Sequence, residues 1–134
     1  MSMQPHGHFT LLRQGALVIC RPSGPFNLKG ARAYEPLFFE QVAPLVGTRW
    51  AIVEVATEFE AAGPEVIARF RRQFAWCAEQ GCRYMAVVLE GGFKRYMAEQ
   101  IFSQLPFEAL CYFEDEAAAI AWAREQIGDV TAAG

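Results

Sequence analysis

Apolar residues follow two rhythms along this chain. Short dense runs suited to strands alternate with stretches in which they recur every three or four residues, as on one face of a helix. The run His8-Phe9-Thr10-Leu11-Leu12-Arg13 predicts a first strand, and Gln14-Gly15 a tight turn. Ala16-Leu17-Val18-Ile19-Cys20-Arg21 then predicts a second strand, antiparallel to the first. Pro22-Ser23-Gly24-Pro25-Phe26 reads as a breaker cluster, with Asn27 as the N-cap of a helix. That helix spans residues 28–46 by pattern, with Phe38, Val42 and Leu45 on one face. Pro36 either kinks it or splits it, and the part after Pro36 is expected to be the solid half. A third strand is expected over residues 50–55, a loop over 56–63, and a helix from Pro64 to Gln80 stopped by Gly81. Residues 84–89 predict a strand covered on both faces, because they are apolar almost throughout. Beyond Gly91-Gly92 come a helix over 93–105 halted by Pro106, a strand over 109–113, and a helix over 116–127 capped by Asp115. The tail from Asp129 onward is expected to fray.

This order predicts an α/β fold in a single domain over residues 1–134, with an ordered core from about 8 to 128. The sheet is expected to be five-stranded and mixed: an N-terminal antiparallel hairpin, the remainder mostly parallel, packed with about four helices. Ile19, Phe38, Ile52, Phe70, Phe74, Val87 and Phe113 are the expected core. With 53% apolar and 13% aromatic residues the chain is not of disordered type. No stretch approaches the roughly 20 apolar residues of a membrane span, so no integral membrane association is expected. Residues 1–8 lack a basic segment followed by an apolar one, and read as a loose lead-in rather than a signal peptide. A net charge of −3 gives no basic field for nucleic acid. The cysteines, Cys20, Cys77, Cys82 and Cys111, are scattered, which points to a reducing, cytoplasmic setting.

Candidate chemistry is sparse. The loop Ala56-Thr57-Glu58-Phe59-Glu60-Ala61-Ala62-Gly63 holds no Cys, His, Ser or Lys and no glycine-rich phosphate cradle. Glu54, Glu58, Glu60 and Glu90 could gather at the ends of parallel strands and do acid–base work. No nucleophile–base pair accompanies them, and solvated, capping or ion-paired carboxylates are the plainer reading. Cys77 and Cys82 have no second close Cys or His pair to complete a zinc site, and His6 and His8 lie in the lead-in. No metal or other cofactor is expected. Gly91-Gly92-Phe93-Lys94-Arg95 is similar to an anion-binding helix start, although paired glycines more often only punctuate. On the helix from Pro64, residues Val66, Ile67, Phe70, Phe74, Cys77 and Ala78 form a stripe, with Trp76 opposite among Glu65, Arg69, Arg72 and Gln80. Trp76 either lies along arginine stems or belongs to an interface. Phe102 is off the main stripe of its own helix, and the two aromatics together suggest one partner patch, with a second copy the simplest partner.

The order of elements, with its glycine-proline break after the second strand, resembles the STAS superfamily, and within it the SpoIIAA-like branch sometimes grouped with Sec14-type domains. The stretch Val18 to Phe26, the acidic Glu54, and Phe113-Glu114-Asp115-Glu116 followed by Ala119 and Trp122 carry the likeness. The resemblance implies a non-enzymatic regulatory or protein-interaction module. In that family a kinase phosphorylates a serine within an Asp-Ser-Ser-Gly phrase; the matching place here reads Glu60-Ala61-Ala62-Gly63 and lacks the hydroxyl. The expected partner is another protein or a second copy of the chain, in a homodimer. The expected contact surface comprises Thr57, Glu58, Phe59, Glu60, Arg69, Arg72, Trp76 and Phe102. A carrier of an apolar small molecule or lipid is the alternative, and a small enzyme using strand-end glutamates the third reading.

Overall fold

The two rhythms resolve into six strands and four α-helices in a computed structural model that describes residues 4–128. The strands are β1 (His8–Gln14), β2 (Leu17–Phe26), β3 (Trp50–Val55), β4 (Phe59–Ala62), β5 (Cys82–Val88) and β6 (Ala109–Phe113). The helices are α1 (Leu28–Val42), α2 (Pro64–Glu79), α3 (Gly92–Phe102) and α4 (Glu116–Ile127). The sheet order is β1-β2-β3-β5-β6, with short β4 added to the end of β2. Among the described residues only β1 and β2 pair antiparallel; the other ladders are parallel. The expected mixed α/β fold is therefore the one observed.

Side-chain alternation along the central strands sorts the core into two layers. Val18, Cys20, Ile52, Met85 and Val87 face α1, α2 and α3, whereas Leu17, Ile19, Val53, Ala86 and Val88 face α4. Right-handed crossovers that step along the sheet in one direction place their helices on one face, which accounts for the three-helix layer. The last helix leaves edge strand β6 and turns back over β3 and β5, where buried Ala119 and Ala123 line its inner face. Arg21 on β2 grips Glu116 at the start of α4 with two bonds of 2.5 and 2.6 Å. The expected caps are in place: Asn27 Oδ1 accepts from the Gly30 amide at 2.8 Å, and Asp115 Oδ2 from the Ala118 amide at 3.1 Å. Gly81 is required by its backbone, at φ +105°, where a Cβ would stand 1.9 Å from the Thr48 carbonyl oxygen. Among the described residues no helix is long and apolar enough to cross a membrane.

Several expectations need correction. The cluster Pro22-Ser23-Gly24-Pro25 does not end β2, which runs through it to Phe26. Pairing with β3 ends at Cys20 and pairing with β4 begins at Gly24, so Pro22 falls at the changeover and Pro25 at a register shift in the β4 ladder, places where a missing donor is tolerated. The loop 56–63 accordingly contains a strand, anchored by a 2.9 Å bond from the Gly24 amide to the Glu58 carbonyl. Helix α1 is unbroken around exposed Pro36 and passes into a 3-10 turn, Ala43–Leu45. The lead-in is tied down from Gln4: Asn27 accepts from the His6 amide at 2.9 Å and donates to the Gln4 carbonyl at 2.8 Å. Six of the seven expected core residues are buried, but Phe113, on the edge strand and covered by Trp122, is half-buried. The tail expected to fray lies outside the described residues.

Candidate functional site

The period of β3 sends Glu54 into the three-helix layer, the face it shares with Trp50 and Ile52. It is 6% exposed, and its Oε2 has no hydrogen-bond partner among the described residues. Cys20, its register partner on β2, stands beside it. Burial pushes the carboxyl up to about 8, opposed by the neighbouring Cys20 thiol. Burial likewise raises the Cys20 and Cys77 thiols and the Tyr34 hydroxyl, so this cluster is neutral near pH 7. Glu54 and Tyr34 reach a cavity of about 30 Å³ among Phe59, Phe70, Phe74 and Phe102. That is room for a single water, an order of magnitude below the roughly 300–1,000 Å³ of ligand pockets.

The other strand-end carboxylates do not join Glu54. Glu58, Glu60 and Glu90 are exposed and do not line that cavity. Among the described residues no group of three His, Cys, Asp or Glu side chains could hold a metal ion. All four cysteines are free, three of them buried and Cys111 half-buried. Gly91, Gly92 and Arg95 share a wide surface cleft with Glu114, a carboxylate that would repel an anion, and Arg95 is spent over the Tyr112 ring at 3.7 Å.

The expected contact residues separate into three places. Thr57 and Glu58 are exposed in the turn that follows β3 and Glu60 is exposed on β4, and the Lys94 ammonium from α3 donates to the Thr57 carbonyl. Phe59 points the other way, into the core. Arg69, Arg72 and Trp76 line a groove between α1 and α2. Trp76 is half-buried with its ring edge-to-face on Phe39 at 4.8 Å, so an aromatic neighbour covers it. Phe102 is 3% exposed and packs on Phe74 at 4.8 Å, so a joint surface patch of Trp76 and Phe102 does not exist.

The sequence pattern passes over the two most exposed aromatics. Phe93 and Tyr96, on the first turns of α3, are 65% and 61% exposed. Lys94 lies between them and reaches the Thr57 loop, so loop and aromatics share one end of the molecule. The stripe of α3 that faces the core leaves both of them out. At about 100° per residue the buried set Met97, Ala98, Ile101 and Phe102 centres about 110° from Phe93 and about 170° from Tyr96. Phe102 then falls inside the stripe, and the other two fall outside it.

Comparison with solved structures defines this arrangement. An uncharacterised protein of the DUF3478 family from Shewanella loihica PV-4, described as having a SpoIIAA-like fold, superposes with a TM-score of 0.68. It is 13% identical, and the match covers 92% of this chain and 98% of that one. The fold is SpoIIAA-like. An anti-sigma factor antagonist from Mycobacterium paratuberculosis shares it, at 15% identity and a TM-score of 0.63, over 92% of this chain and 99% of that one. The likeness to STAS domains drawn from the sequence therefore holds at the level of the fold. No family model matches the chain. The curated proteins likewise contain no match to it.

Proposed function

We propose that this SpoIIAA-like protein is a non-enzymatic regulatory module that acts by binding another protein. The surface is the Thr57–Glu60 end of the molecule together with Phe93 and Tyr96. The observation that carries this reading is the exposure of those two aromatics, 65% and 61%, beside a loop fixed by strand pairing and by Lys94. Large exposed aromatics are the residue type that anchors protein interfaces. The solved anti-sigma factor antagonist with the same fold supports a regulatory role. A second copy of the chain is one partner this surface could take. The carrier reading draws no support from a 30 Å³ cavity.

The test uses a tagged copy expressed in its own cells, with the captured proteins quantified against the double variant Phe93→Ser/Tyr96→Ser. Both positions are exposed, so the variant should keep the wild-type melting temperature. A partner held at stoichiometric amount by wild type, and reduced at least tenfold in the variant, is the expected result. Sedimentation of the purified protein separates self-association from a different partner. Equal capture by wild type and a folded variant refutes the assignment.

A further inference from the structure

The groove between α1 and α2 is built from different residues and has an unsatisfied polar group at its floor. Its volume is about 190 Å³, and its walls are Glu35, Phe39, Arg69, Arg72, Gln73 and Trp76. Gln73 is 3% exposed, yet neither its Oε1 nor its Nε2 has a hydrogen-bond partner among the described residues. It stands beside the Tyr34 hydroxyl but outside good hydrogen-bonding geometry. A buried amide with both ends open is costly to keep, and a partner that supplies one donor and one acceptor satisfies it.

The surrounding charges select the partner. Glu35 takes both its oxygens to Arg69, one of them through a 3.0 Å bond. Arg72 is exposed and makes no ion pair among the described residues. Two arginines against one glutamate leave the groove with one positive charge, on a protein whose net charge is −3. The Trp76 and Phe39 rings, edge-to-face, form an apolar wall beside it. A volume of 190 Å³ is below the roughly 300 Å³ at which pockets enclose a small molecule, but it suits a short length of chain that continues over the surface.

We propose that this groove takes an extended acidic peptide segment of another protein. The Gln73 amide pairs with one main-chain peptide unit, Arg72 pairs with a carboxylate, and an apolar side chain rests on Trp76 and Phe39. This goes beyond the surface at Phe93 and Tyr96 and adds a second, chemically different contact.

The probe is a pentapeptide, Asp-Leu-Glu-Phe-Asp, acetylated and amidated at its ends, titrated into isotope-labelled protein and followed by NMR. The control is Lys-Leu-Lys-Phe-Lys with the same ends. The acidic peptide should shift the Gln73 side-chain amide and the Trp76 indole signals saturably, and the basic one should leave them in place. Arg72→Glu should weaken acidic-peptide binding at least tenfold. Gln73→Leu should do the same while its melting temperature holds or rises, because an open buried amide is removed. Equal binding of the two peptides, or wild-type affinity in Gln73→Leu, overturns the proposal. So does a fall of many degrees in Gln73→Leu, which would mean the amide is satisfied inside the fold. Shifts confined to residues 57–60 and 93–96 also overturn it, and leave the first contact surface standing.

Discussion

Glu54 is a carboxyl that the fold holds neutral at physiological pH. Its ordinary value is 4.5 and its value in the fold is about 8, because a strand buries it in the three-helix layer. Between those two values the folded protein keeps a proton that the unfolded chain releases. Stability contributed by the neutral carboxyl is therefore fully present below about pH 4.5 and falls as pH rises through that window, by up to about 1.4 kcal/mol per pH unit. Glu116, held low by Arg21, has the opposite sign and acts at the acid end, outside this window. Denaturant titration of the wild type should show stability declining from pH 5 to pH 8. Glu54→Gln should flatten most of that decline and be the more stable protein at pH 8. A flat wild-type profile would mean the carboxyl is ionised and has found a partner. The acidic position itself is legible in the sequence, and so is its place in a strand. Its isolation is not, because an arginine or backbone partner is the ordinary answer to a carboxylate in a core, and neither hydrogen-bonds it among the described residues.

Among the elements, periodicity alone is enough where one face is buried and the other is wet. The bounds of α4 follow from it, whereas β6 is read from a short apolar run, half-buried throughout, and the caps Asn27 and Asp115 from their residue type. It fails where an element meets more than one neighbour. Helix α2 packs on the sheet, on α1 and on α3, so Trp76 can lie outside the sheet-facing stripe and still be covered. The turn residues of β2 mislead for a related reason: a strand that changes partners midway tolerates prolines at the change. Phe74, in contact with Phe38 and Phe102, tests the helix layer. Phe74→Ala and Phe102→Ala should each cost about 3–5 kcal/mol in denaturant titration. A loss under about 1 kcal/mol in Phe102→Ala would return that ring to the surface. Pro36 sits on the exposed side of an unbroken α1, where it lacks the amide a helix interior uses. Pro36→Ala should raise stability by about 1–3 kcal/mol, reduced somewhat by the greater freedom of the unfolded chain. A loss of stability instead would show that the helix is held bent for packing.

For the molecule as a whole, the question is what controls the proposed contact surface at the end of β3. The segment ahead of α2 carries Ala61 and Ala62, which offer no hydroxyl, and is paired to β2 as a strand. Glu60 already supplies a carboxylate just ahead of α2, where negative charge is favoured. The one hydroxyl of the loop is Thr57, exposed, with its carbonyl taken by Lys94. A phosphate there would add about −1.5 to −2 charges next to Glu58 and Glu60, with Lys94 as the nearby cation, so its effect on the surface would be large if it formed. Incubation with kinases that modify STAS serines should leave the intact mass unchanged. Thr57→Glu, which places a smaller negative charge within the proposed contact surface, should lower partner capture relative to wild type. Phosphate mapped to Thr57, together with a changed partner yield, would make this loop a switch after all.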